Sequence, residues 1–181
     1  SAPLTDYNWE ASGGAGQLNA GFEIIQIKPF RDELYVFGER HIKKVVVENS
    51  DFVLKDVAYN IGCIAPDSVV EINGDLLFLA QDGFRTIAGT ERIGDVELGV
   101  MSKNIQNDVI GLVTSSDLNS INAVVVRRKS QVRFFFSDDT TDPTENQGVI
   151  GGLRASVNGV NWEWGLLEGI STSVCTSSYI G

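Results

Sequence analysis

The chain has 181 residues, 43% of them apolar, with 19 glycines against 4 prolines and a net charge of −10. That length and apolar share can bury the core of one large domain or two small ones. The acid excess argues against a surface that grips nucleic acid by counterion release, and no run of 18 apolar residues, secretion signal or glycosylation sequon occurs, so no membrane span or secretory passage is expected.

Abundant glycine, scarce proline and little helical periodicity point to an all-β protein with many tight turns. Residues 1–21 are mostly punctuation, carrying Trp9 and the cluster Ser12-Gly13-Gly14-Ala15-Gly16. The cluster lacks the spacing of a phosphate cradle and precedes no amphipathic helix, so a loop anchored by one tryptophan is the expectation.

Residues 22–59 are expected to form a four-stranded unit, with strands at Ile24–Phe30, Leu34–Gly38, His41–Val47 and Phe52–Tyr59. His41 is the single histidine, which excludes a multi-histidine metal site within one chain, and a surface position is expected for it. Asn60–Asp67 reads as a connector, because Gly62 and Pro66 do not suit a central strand. A second unit follows over about 68–98, with strands at Ser68–Ile72, Asp75–Ala80, Phe84–Ala88 and Val96–Leu98. Its Asn73-Gly74 pair predicts a two-residue hairpin, and Asp82-Gly83 a second turn with Gly83 at positive φ. Leu76–Ala80 is apolar on both faces, the pattern of a strand covered on two sides.

The two units are copies. Slid by 42 positions, Phe30–Val45 lies over Ile72–Ile87, matching Leu34 to Leu76, Val36 to Phe78, Phe37 to Leu79, Ile42 to Phe84 and Lys43 to Arg85. A period in the forties built of four short strands is the mark of a β-propeller blade.

Ser102 is placed to cap a helix over Lys103–Leu112, ending near Gly111. A third unit spans about 120–167, with strands at Ser120–Val126, Gln131–Ser137, Val149–Ser156 and Trp162–Leu167. Its first turn, Arg127-Arg128-Lys129, reads as a solvated tip rather than a phosphate contact on so acidic a chain. Asp138-Asp139-Thr140-Thr141-Asp142 lacks the glycine and the terminal glutamate of a calcium loop. Asn158-Gly159 is a strong hairpin signal, and Trp162 and Trp164 share one face, favouring packing on a neighbouring unit over a sugar platform. Ser171–Ile180 starts a further unit. Three units alone leave open edges, so either a longer chain or other chains complete the propeller. The fold class expected is therefore all-β: about three four-stranded blades, part of a larger propeller, with one short helix. Cys63 and Cys175 stand in no metal or redox spacing; a disulfide is allowed but unforced, and two buried thiols are favoured.

At Gly62, Ala65-Pro66, Ser68-Val69-Val70, Asn73-Gly74-Asp75, Leu76–Leu79 and Asp82-Gly83-Phe84, the chain resembles tail nozzle proteins of short-tailed phages, of the tail tubular protein B type. Upstream, Phe30–Gly38 is similar to that family's leucine-x-valine-phenylalanine strand, Asp6-Tyr7-Asn8-Trp9 to its Asp-x-x-Trp segment, and Met101-Ser102-x-x-Ile105 to its short helix. The resemblance covers roughly residues 6–137. It implies a virion structural protein made in the host cytoplasm, with a propeller body and a hexameric homo-oligomeric ring joining portal and adaptor to other tail proteins. DNA would pass transiently without specific binding, and the chain would be an excerpt of a longer protein. The family residues carried over, Gly62, Pro66, Ser68, Asn73, Gly74, Asp82 and Gly83, are structural; no catalytic, cofactor or metal residue is expected. A carbohydrate- or protein-binding propeller using Trp9, Trp162 and Trp164 is the alternative. A propeller glycosidase or lyase ranks lower, since the sialidase Ser-x-Asp-x-Gly-x-Thr-Trp box is missing.

Overall fold

The computed structural model describes residues 10, 16–49, 51–92, 100–136, 147–156, 159–170, 172 and 175. Its first sheet runs β1 (Gln26–Phe30), β2 (Glu33–Phe37), β3 (His41–Glu48) and β4 (Asp51–Tyr59), each antiparallel to the next. Phe30 pairs with Glu33, so Arg31 and Asp32 alone close the first hairpin, both left-handed at φ 49° and 62°. This is a tight turn formed without glycine, and a short polar aspartate is among the side chains that tolerate that region. Asn49, at φ 50°, turns β3 into β4.

The second sheet holds β5 (Val70–Ile72), β6 (Asp75–Ala80) and β7 (Gly83–Thr86). Asn73 and Gly74 join β5 to β6 at φ 52° and 75°, the left-handed pair that a two-residue turn demands. The third sheet runs β8 (Asn122–Val126), β9 (Gln131–Phe136), β10 (Gln147–Ser156) and β11 (Gly159–Glu168). Arg127–Lys129 forms a single 3-10 turn between β8 and β9, closed by Ser130 at φ 48°.

Among the described residues two helices lie between the second and third sheets in sequence: α1 (Ile87–Arg92), and α2 (Gln106–Ser115) entered through a 3-10 turn over Lys103–Ile105. Among the described residues the architecture is thus mainly β, three antiparallel sheets of four, three and four strands, with the short α1 and a 13-residue helical span over 103–115. No closed or propeller arrangement is present among the described residues.

Alternation assigns the faces. On β6, Leu76, Phe78 and Ala80 join the core of the first sheet, made by Phe30, Tyr35, Phe37 and Ile42. Leu77 and Leu79 join the opposite core, with Phe84, Val125, Val132, Phe134 and Val149. The second sheet therefore uses one face for the first sheet and the other for the third. The repeat predicts this: Phe30, Tyr35, Phe37 and Ile42 stand 42 positions before Ile72, Leu77, Leu79 and Phe84, and both sets face the following sheet.

Several sequence expectations need correction. The strand expected to reach Ala88 stops at Thr86, where the chain turns into α1. Ser102 makes no capping bond; its hydroxyl serves a strand instead. The helix runs past Gly111 to Ser115, because Val109 and Leu112 bury its face and outweigh one glycine. The first strands of the second and third units begin at Val70 and Asn122, two residues later than expected. Val96–Leu98, Asp138–Asp142, Asn158, Trp9 and nearly all of 171–181 lie outside the described residues.

Candidate functional site

The sequence-singled residues converge on the connector between the first two sheets and on the turns of the second. Gly62 passes directly beneath the β2–β3 turn. A methyl group there would overlap the carbonyl oxygen of Gly38 and the backbone of Glu39. Next to it, the Cys63 N–H donates to Gly38 O at 2.9 Å, and the Ile64 N–H donates to Leu79 O at 3.0 Å. The connector thus stitches the first sheet to the second through backbone bonds, and only glycine allows the approach.

Pro66 opens a 3-10 turn over Pro66–Ser68. The buried Ser68 hydroxyl donates to Ala65 O at 2.6 Å and accepts from Leu79 N at 3.2 Å, with Cys63 Sγ at 3.4 Å. Burial pushes the Cys63 thiol up to about 11, with the Ser68 and Ala65 contacts pulling weakly the other way. A thiol so held is neutral near pH 7 and is not a nucleophile. Cys175 is half-buried and, like Cys63, free rather than paired. Its thiol too is raised, by burial and then by the negative charge of Asp67.

Asp82 and Gly83 do different jobs. Asp82 accepts from Arg85 at 2.9 and 2.5 Å, and its carbonyl accepts from Gln106 at 2.9 Å. Arg85 is 1% exposed, so this carboxylate supplies counter-charge to a guanidinium held inside the protein. The turn itself is Gln81-Asp82, since Ala80 pairs with Gly83. Gly83 is the first residue of β7, at φ 129°, and a Cβ there would sit 2.5 Å from Ser102 Oγ. That hydroxyl accepts from Phe84 N at 3.0 Å, while the Met101 N–H donates to Phe84 O at 2.8 Å. The chain around Met101 therefore covers the outer edge of β7. Sequence reasoning missed this role of Ser102 because the hydroxyl also suits a helix cap, and both positions prefer serine.

The turns of the two copies lie against each other. Arg31 donates to Gly74 O, Phe37 and Phe78 pack with centroids 5.4 Å apart, and Gln81 donates to Glu39 at 2.5 Å. Of these contacts Glu39 with Gln81 joins positions related by the repeat, and the other two fall one position to either side of it. At the next junction an aromatic ladder replaces the turn contacts. Phe134 stacks on Phe84 at 4.1 Å, Phe84 on Trp164 at 4.8 Å and Trp164 on Trp162 at 5.2 Å. The Trp164 indole N–H donates to Met101 O at 2.9 Å.

A cleft of about 540 Å³ opens between the β2–β3 turn and the loop after α2, with Phe22, Glu23, Glu39, Arg40, His41 and Asn119 among its walls. His41 is half-buried rather than a bare surface group, stacked on Phe22 at 5.5 Å and edged by Tyr59 at 5.9 Å. Among the described residues no three histidine, cysteine or carboxylate side chains gather as a metal site. No protein-family model and no curated protein sequence matches this chain.

Proposed function

We propose that the chain is a stretch of a β-propeller in a phage tail nozzle, a structural subunit of a virion ring around the DNA conduit. One observation carries the propeller part: residues 42 positions apart, Phe30, Tyr35, Phe37 and Ile42 and then Ile72, Leu77, Leu79 and Phe84, each face the following sheet, so consecutive sheets pack through the same pair of faces. Twisted sheets that stack head to tail through the same two faces fan about an axis, which is how blades are laid out. The first strands support this, since Gln26 of β1 donates to Pro66 O at 2.9 Å and β5 lies against β8. The backbone at Met101 takes the place of a fourth strand beside β7.

The nozzle part rests on the motif residues. Gly62, Pro66, Ser68, Asn73, Gly74, Asp82 and Gly83 are all engaged in turns, close approaches and buried hydrogen bonds, the use expected of a scaffold rather than of an enzyme. In this reading the subunits form a homo-oligomeric ring, a hexamer, between portal, adaptor and distal tail proteins. The sugar-platform alternative loses ground, because Trp164 lies in the ladder between two sheets with its indole N–H bonded.

A passive conduit must guide a polyanion without holding it, and a net charge of −10 suits that. The chain should show no detectable duplex DNA binding at physiological salt. Tight, salt-sensitive binding that disappears when Arg127, Arg128 and Lys129 are replaced would overturn the conduit. Electron microscopy of the native protein should show rings with an axial channel, and isolated small monomers would remove the nozzle reading.

A further inference from the structure

The second strand of each sheet puts its third and fifth residues on one face. They are Tyr35 and Phe37 on β2, Leu77 and Leu79 on β6, and Arg133 and Phe135 on β9. In the first two sheets this face packs against the sheet that follows, leaving Tyr35 4% and Leu77 0% exposed. On β9 the alternate residues, Val132, Phe134 and Phe136, make the contact with the second sheet. Arg133 therefore stands on the outward face of the third sheet, an arginine where the earlier copies have a tyrosine and a leucine.

Strand pairing flanks the half-buried Arg133 with Val124 and Ile150. Its Nε is buried without a hydrogen-bond partner, the one such side-chain atom among the described residues. A guanidinium nitrogen so placed lacks the acceptor that normally accompanies a desolvated charge. The carboxylate that the third sheet puts on the same face, Glu163, pairs instead with Arg154 at 2.9 Å. Phe135 is already covered, so the open part of this face is the end nearer the β8–β9 turn. There a groove of about 350 Å³ is lined by Lys129, Gln131, Ile150, Gly152 and Arg154. The described residues of this sheet and its first turn carry Arg127, Arg128, Lys129, Arg133 and Arg154 against Glu163 and Glu168. This region is thus locally cationic in a chain whose net charge is −10.

We propose that this face binds an acidic segment of a partner protein, with one carboxylate accepting from Arg133 Nε and a terminal guanidinium nitrogen. That side-on fork is the geometry a guanidinium offers a carboxylate. A protein segment fits better than a nucleic acid for two reasons. The equivalent faces of the first two sheets are covered by protein. A buried Nε between apolar side chains is also reached more readily by a carboxylate on a flexible side chain than by the phosphates of a stiff duplex. At physiological salt the charge of the rest of the chain is screened beyond about 8 Å, so the local cations decide. The proposal needs only the packing of the sheets, and neither a propeller nor a ring.

Two measurements on the chain test it. Arg133→Met keeps an apolar stem and removes the unpaired charge, so its melting temperature should rise above that of the unchanged chain. No rise would mean that the guanidinium is already satisfied, which overturns the proposal. In fluorescence anisotropy, a labelled peptide alternating glutamate with valine should bind the unchanged chain, and more weakly as salt rises. Arg133→Met should weaken that binding about tenfold, whereas Arg127→Ala with Arg128→Ala should change it by no more than about twofold. The same peptide with glutamine for glutamate should not bind. Absence of binding, or binding that follows the turn arginines rather than Arg133, overturns the proposal. So does duplex DNA that binds as tightly as the peptide and is lost with Arg133, because the site would then take phosphate.

Discussion

Gly83 shows how much one backbone position can carry. It combines φ 129° with a would-be Cβ 2.5 Å from Ser102 Oγ and 3.1 Å from Val100 Cγ1. Gly83→Val should cost more than about 1 kcal/mol in urea unfolding, from backbone strain and from displacing the hydroxyl that holds the β7 edge. Cys63 is informative in another way. Its folded pKa of about 11 stands above the ordinary 9.0, so the folded state holds the proton more tightly than the unfolded chain. The stability linked to that proton is complete below pH 9 and is lost as pH rises towards 11. Cys63→Ala should flatten the alkaline limb of the stability profile over that window, and an unchanged limb would show that the thiol does not set it.

Individual elements depend on a few polar pairs as much as on apolar area. The second sheet keeps Arg85 inside at 1% exposure, beside a carboxylate about one-third exposed. Asp82→Ala should destabilise by about 2 kcal/mol, below the usual cost of breaking a buried pair because solvent reaches the aspartate. Adding Arg85→Met should recover much of that loss, since the buried charge leaves with its partner. Thermal unfolding of the single and double variants reads this directly. The same strand in the first copy carries Lys43, which donates to Ala20 O at 2.9 Å and pairs with Asp56 at 3.7 Å. One repeat position is therefore cationic in both sheets, buried where a sheet covers it and partly exposed where none does.

At the scale of the whole molecule, β6 joins both cores, so the sheets depend on one another. Phe78→Ala removes a ring that packs on Phe37, and Phe84→Ala removes the middle of the aromatic ladder. Each should cost about 3–5 kcal/mol. Hydrogen exchange should separate them: protection falls first in β1–β4 for Phe78→Ala and first in β8–β11 for Phe84→Ala. Equal loss throughout both variants would mean that the sheets unfold only as one unit.

The hairpins were legible in the sequence because their causes are local. Asn73-Gly74 fixes a turn by backbone sterics, and the alternation in Leu76–Ala80 fixes two buried faces whatever surrounds them. The period of 42 likewise foretold which side chains would face the same way in consecutive sheets. Other features depended on partners distant in the chain. Nothing near Ser102 says that its hydroxyl will serve Phe84 rather than a helix end, and nothing near Gly62 says that the turn at Gly38 will lie upon it. Thr86 ends its strand, and Ser115 rather than Gly111 ends α2, because burial outweighs local propensity by more than a glycine costs. The left-handed Arg31-Asp32 turn was weak in sequence for the opposite reason: strand pairing imposes on it what glycine would otherwise offer. Sequence determined the modules and their faces, since these follow from chain sterics and alternation. Only the tertiary structure decided which faces met and which stayed open, because that depends on surfaces far apart along the chain being brought into contact.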